Sequence, residues 1–397
     1  MADHDKQVLL RRVQTVAIAM MTVQGVALTL FPPLLAYFSQ LFGLSPFGSG
    51  LMVGFYMVGV ILGGVLAPLL VNIVTLKPLA MITVGLAALG MLITGLSDSF
   101  PMLSVGRAIA GFGNSLLWIT SFTWVLSVND GPGAPRALSV VVGISSIGNL
   151  LGPLVGPLAI KHGFDTVFFA VSGLTLLLLV PMSRLSAPQH LSKAGNHLAL
   201  LFRARPIRSV VMVNLVRTLA MGAMLVLLPL LLTREGFASH HIAVTFIAGA
   251  LLSFPLAYLF GLVANRFGVW PTMRVILTVI VLIPLPIPML HSDALIFSLA
   301  ALLIGLMTAA PVVFSAAFSE VAPPDPEAGI RHIELMSWSL IIAGTGQLIG
   351  SVFGGFLLEF GSFMLALGVI AAIALLAVGR ASPALRAARD GNPNAAH

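Results

Sequence analysis

The run Gly148-Asn149-Leu150-Leu151-Gly152-Pro153-Leu154-Val155-Gly156-Pro157 lies inside an apolar segment long enough to span a bilayer. Its glycines recur at every fourth residue. Four-residue steps return to nearly the same face of a helix, so they form one bare stripe on which another backbone can pack closely. Pro153 and Pro157 repeat at the same interval; each removes a helical hydrogen bond and tends to bend the segment. A near-copy returns later as Gly346-Gln347-Leu348-Ile349-Gly350-Ser351-Val352-Phe353-Gly354-Gly355. The chain reads as two related halves, each with this helix at the same place.

Composition sets the class. Of 397 residues, 58% are hydrophobic and only 8% are charged, and the mean hydropathy is +1.06. No water-soluble domain buries that much apolar surface, so the expected class is an all-α polytopic membrane protein. The absence of cysteine excludes disulfides, thiolate metal sites and cysteine nucleophiles. The first apolar run is too long for the core of a signal peptide and reads as the first span.

Apolar runs of helix length, separated by Gly, Pro and charged residues, predict twelve spans. They fall near 13–38, 48–72, 78–96, 101–127, 138–160, 165–182, 209–232, 240–263, 272–290, 293–319, 333–357 and 361–380. The expected organisation is a short N-terminus (1–12), a first set of six helices (13–183), a polar linker (184–208), a second set of six (209–380) and a tail (381–397). With the N-terminus cytoplasmic, nearly all Lys and Arg fall on that side, and only Lys161 and Arg234 fall on the other. Arg107 and Arg217 lie inside spans. The net charge of +7 is thereby a topology signal, and no nucleic-acid partner is expected. Both termini are expected on the cytoplasmic side of a bacterial-type inner membrane.

These features resemble the major facilitator superfamily over essentially the whole chain. Gly148–Pro157 resembles that family's fifth-helix antiporter motif, G-x-x-x-G-P-x-x-G-G, with Pro157 in place of the last glycine. Leu103-Ser104-Val105-Gly106-Arg107-Ala108-Ile109-Ala110-Gly111-Phe112-Gly113 is similar to the fourth-helix motif, an arginine followed by a glycine pair. Gly261-Leu262-Val263-Ala264-Asn265-Arg266-Phe267-Gly268 resembles G-x-x-A-D-R-x-G between spans 8 and 9, with Asn265 where an aspartate is usual. The equivalent stretch of the first half, Gly64-Val65-Leu66-Ala67-Pro68, keeps only the small residues, so the usual charge-pair gate is missing there. The resemblance implies two pseudo-symmetric six-helix bundles around a substrate cavity near the bilayer midplane. It assigns spans 1, 4, 7 and 10 to the cavity and coupling or gating to Arg107, Gly148, Gly152, Pro153, Gly156, Gly261, Asn265, Arg266, Gly346 and Gly350. Within the twelve-span branch it points to drug/proton antiporters.

An arginine at the centre of a span costs about 2.5–3.5 kcal/mol on translocon scales, so each must face a cavity or a partner. Arg217 sits about 15 Å into span 7 at 1.5 Å per residue, near the midplane. It reads either as an anion-binding group or as a structural arginine paired with Asn214. Gln24, Asn114, Trp118, Asn214 and Arg217 are the candidate substrate-binding groups. Methionines such as Met20, Met221 and Met307 suit an adaptable wall. The acids all fall at span ends, in loops or in tails, and Glu320, His332 and Glu334 read as a solvated link between spans 10 and 11.

Three functions stay in play. The first is a secondary exporter of a small hydrophobic or amphipathic solute in exchange for protons, working by alternating access as a monomer in the lipid bilayer. The second is an importer or facilitator of a small organic anion. The third, a membrane-embedded enzyme, requires convergent His and carboxylate groups at depth, and none are placed there; no catalytic residue, metal or cofactor is expected. No G-x-x-x-x-G-K-[ST] run is present, which excludes ATP-driven transport by this chain alone.

Overall fold

The computed structural model describes residues 2–128, 134–185, 205–321 and 332–389. Among these the chain forms helices and no strand. Twelve helices are long and apolar enough to cross a membrane. We number them span 1 (Val8–Leu41), 2 (Pro46–Ile73), 3 (Leu76–Gly95), 4 (Phe100–Val128), 5 (Ala137–His162), 6 (Phe164–Ser183), 7 (Arg208–Arg234), 8 (Ser239–Phe267), 9 (Val269–Met289), 10 (Asp293–Phe314), 11 (Met336–Phe360) and 12 (Phe363–Arg380). Each matches an expected span. In hydrocarbon every backbone group needs an internal partner, and a helix supplies it within one segment.

Helical structure extends beyond the spans at both ends of the chain. The first helix runs Ala2–Thr29 through the polar N-terminal residues, and the last runs Phe363–Arg389 into the expected tail. Of the expected linker, 186–204 lies outside the described residues; the next helix has already begun at Arg205. Span 1 is interrupted by a single 3-10 turn at Pro32–Leu34, where adjacent prolines withhold two backbone donors. Span 5 divides into Ala134–Ser145 and Ile147–His162. Its break falls at Ser146, where Asn149 N donates to Ser146 O at 3.0 Å in a tighter turn.

The repeat predicted from the glycine stripes recurs in the helix ends. Gly43 closes span 1 at φ 60° and Gly236 closes span 7 at φ 87°. Leu44 N donates to Ser39 O at 2.8 Å, and Phe237 N donates to Leu232 O at 2.9 Å. Both are six-residue closures around a left-handed glycine, the conformation that lacks a steric penalty only without a Cβ.

Burial separates the helices by role. In the most apolar windows of spans 1, 4, 7 and 10, 61%, 72%, 72% and 61% of residues are buried, against 22% in span 8 and 28% in span 5. The exposed faces of spans 5 and 8 carry Leu151, Leu154, Leu158, Leu251, Phe254 and Leu259. These are the surfaces a bilayer covers.

By proximity the chain forms two compact units. The first comprises Met1–Leu34, Phe55–Gly195 and Gly329–Ile341. Spans 3 and 4 pack tightly within it: a Cβ at Gly90 would strike the Ala110 backbone, and one at Gly113 would strike Ala87. The second comprises Leu35–Gly54, Asn196–Ala328 and Ile342–His397. There spans 8 and 10 approach through Gly249, set against Ile304 and Ala301, and Gly305, set against Leu252. Small residues admit this closeness where no hydrophobic effect drives helices together.

Candidate functional site: two buried arginines and their seams

Arg107 is 3% exposed on span 4. Its guanidinium carbon lies 3.8 Å from the centroid of the Phe31 ring and 4.6 Å from that of Tyr56. Two aromatic faces thus hold the charge by cation–π attraction, and among the described residues its Nε has no hydrogen-bond partner. The Tyr56 hydroxyl accepts a 3.2 Å bond from Asn114 Nδ2. Tyr56 therefore joins two residues singled out from the sequence, seven positions apart on span 4. Trp118, one turn further on, packs against Phe122 with ring centroids 4.9 Å apart. Gln24 is half-buried on span 1, and among the described residues no hydrogen bond joins it to this cluster.

The second unit holds its own arginine. Arg217 is 6% exposed and Asn214 8% exposed, both on span 7. Arg217 Nε donates to Asn214 Oδ1 at 3.0 Å, and its guanidinium carbon lies 4.9 Å from the Phe314 ring centroid. The pairing with Asn214 is one of the two readings the sequence left open. It takes a single donor of five. Among the described residues its terminal amino groups make no hydrogen bond.

The glycine stripes face the first helix of their own half. A Cβ at Gly148 would strike the Thr22 carbonyl. One at Gly152 would strike Thr29 Oγ1, a hydroxyl that donates to Gly25 O at 2.7 Å. Gly156 sits in ordinary contact with Leu30, Pro33 and Leu34, and Pro153 is buried beside it. In the second unit Gly346 lies against Thr218 and Leu215, Gly350 against Leu219, and Gly354 against Ala223. Spans 5 and 11 are thus keyed to spans 1 and 7. The span 11 stripe backs onto the very turns that carry Asn214 and Arg217.

The remaining candidates stand apart. A Cβ at Gly261 would meet nothing within 4 Å. Asn265 and Arg266 are exposed, and Arg266 lies 5.4 Å from the centroid of the neighbouring Phe267 ring.

Sequence reasoning missed three groups. Phe31, Tyr56 and Phe314 look like ordinary apolar filler, and only a buried cation marks them. Glu334 was expected in a solvated link, but it lies in the first turn of the helix His332–Phe360 and is 3% exposed. The side chains of Glu320 and His332 lie outside the described residues. No group of three or more His, Cys, Asp or Glu positioned for a metal occurs among the described residues.

Twelve apolar helices, two of them carrying a buried arginine, define a polytopic integral membrane protein. The chain belongs to the major facilitator superfamily, whose model matches residues 17–330. Among curated relatives, the uncharacterized MFS-type transporter YcaD of Escherichia fergusonii is 24% identical over 295 residues, covering 73% of this chain and 74% of that protein. The efflux pump mokI of Monascus pilosus is 28% identical over 150 residues, 38% of this chain but only 27% of its own length. Among solved structures, a mutant of the nucleoside transporter NupG superposes with a TM-score of 0.74 at 12% identity, covering 94% of this chain and 99% of that one. A bacterial homolog of the human lysosomal transporter Spinster, inward-facing and occupied, gives 0.73 at 14% identity, with 94% and 96% covered. At these identities the two structures speak for the fold alone.

Proposed function

We propose that the protein is a secondary transporter that works by alternating access and exports a small amphipathic solute bearing an anionic group, in exchange for protons. The observation that carries this reading is Arg217: a buried guanidinium on a central span, fixed by Asn214, flanked by Phe314, and with its outer donors uncommitted. Such a fork matches a carboxylate or phosphate in two-point geometry. The ring beside it and the largely apolar spans suit the rest of an amphipathic molecule. Export is favoured by the span 5 motif and by its tight seam with span 1. Proton exchange is favoured by Glu334, a carboxylate withdrawn from solvent at the start of span 11. The proposed frame is two six-helix bundles, 13–183 and 209–380, in a bacterial-type inner membrane with both termini cytoplasmic, acting as a monomer.

The competing reading is an importer or facilitator of a small organic anion, and Arg217 favours that one equally. Purified protein in liposomes separates them. Accumulation of amphipathic anions against their gradient, driven only by an imposed pH difference, is the expected result. Equilibration that ignores the pH difference would replace exchange with facilitated passage.

A further inference from the structure

We infer that Glu359 is a positioning residue for the transport cycle: its carboxylate fastens the end of span 11 to the start of span 2 and releases whenever that end opens. The inference rests on the transporter reading. Every group involved lies in the second unit.

A helix beginning at Pro46 leaves its first backbone N–H groups without intrahelical partners. Ser45 answers one of them, accepting from Gly48 N at 3.2 Å. Phe47 N donates instead to Glu359 Oε2 at 2.9 Å, and the Ser45 hydroxyl donates to the same oxygen at 2.7 Å. Such a carboxylate ordinarily comes from the helix it caps. Here it comes from span 11, so the cap is also a tie between helices. Its charge sits at the positive end of the span 2 dipole, which strengthens both bonds.

The surface behind the tie is a close helix contact. A Cβ at Gly355 would strike the Pro46 carbonyl, and one at Gly50 the Ser351 carbonyl. Backbone meets backbone there. Phe47 meets Phe356 edge-on at 6.3 Å. Glu359 itself is exposed, so water replaces its two bonds on release and no buried charge is stranded. A cap serving stability alone would sit equally well on its own helix.

The chain contains no cysteine, so Ser351→Cys introduces its only thiol. Ser351 is fully buried, against Gly50. In liposomes, the rate at which a small water-soluble maleimide labels this thiol reports opening of the seam. Glu359→Gln, which keeps a neutral acceptor, should raise that rate about threefold, and Glu359→Ala about tenfold. Ser45→Ala, which spares the Phe47 bond, should fall between parent and Glu359→Ala. In transport assays the maximal rate should change while KM holds. Equal labelling in all four proteins overturns the inference, and if Glu359→Ala fails to fold, Ser45→Ala and Glu359→Gln still decide it. Should no solute move in any variant while the labelling order holds, the transporter reading fails and the tie stands.

Discussion

Arg217 Nε and Asn214 Oδ1 meet at 3.0 Å, one turn apart on span 7, with both residues buried. The bond fixes the plane of the guanidinium and leaves its outer edge available. An arginine oriented in this way is specific for planar, two-point acceptors, whereas a lysine at the same place is a point charge.

Arg217→Ala is therefore expected to abolish uptake of anionic solutes in liposomes and to leave the protein monodisperse in detergent. Arg217→Lys should retain the charge but lose roughly ten- to a hundredfold in affinity, since one fork bond is worth roughly 1.5–3 kcal/mol. Unchanged selectivity across a panel of anions and cations would remove Arg217 from the binding site.

Gly152 and Gly350 occupy equivalent stripes, and each admits no Cβ without striking the span it faces. Overpacking of this kind costs about 1–3 kcal/mol. Gly152→Leu should separate span 1 from span 5, and Gly350→Leu span 7 from span 11, each lowering the midpoint of thermal unfolding in detergent. The two variants should differ in function. Gly350→Leu displaces Leu219, two residues from Arg217, and should weaken substrate binding, whereas Gly152→Leu should slow turnover.

Tyr56→Phe removes the acceptor of the Asn114 amide while keeping the ring that Arg107 faces. Hydrogen bonds between membrane helices average about 0.6 kcal/mol in double-mutant cycles, so a small loss of thermal stability is expected. Tyr56→Phe combined with Asn114→Ala should be less destabilising than the sum of the singles. Strict additivity would show that the bond contributes nothing. Tyr56→Ala, which also strips the ring from Arg107, should cost far more.

Glu334→Gln should abolish the response of transport to an imposed pH difference and leave counterflow of solute intact. Counterflow exchanges solute for solute and requires no net proton movement. Retained pH-driven accumulation in this variant would move proton coupling to another group.

Much of the fold was legible in the sequence because the bilayer removes choices. A chain this apolar has to satisfy its backbone within each segment, so span number follows from where polar residues interrupt the apolar runs. The repeat was legible as well, because close helix contact demands glycine at fixed intervals and leaves a visible pattern. The partner of each stripe was not. Periodicity gives the bare face of span 5 but not the helix it meets; that Thr22, Thr29 and Leu30 of span 1 lie against it follows only from the packing.

The sites divide in the same way. Arg107, Asn114, Asn214 and Arg217 stood out because polar groups inside spans are costly and therefore rare. Phe31, Tyr56 and Phe314 were invisible, since an aromatic residue that cages a cation has the same composition signal as one that faces lipid. Glu359 was equally hidden, because a carboxylate at a span end looks solvated unless one knows which helix begins beside it. Local chemistry and the period of the chain thus determined the class, the number of spans, the duplication and the places where charge is buried. Only the tertiary structure decided which side chains answer those charges, since aromatic faces and backbone amides from distant spans become partners only once the helices have packed.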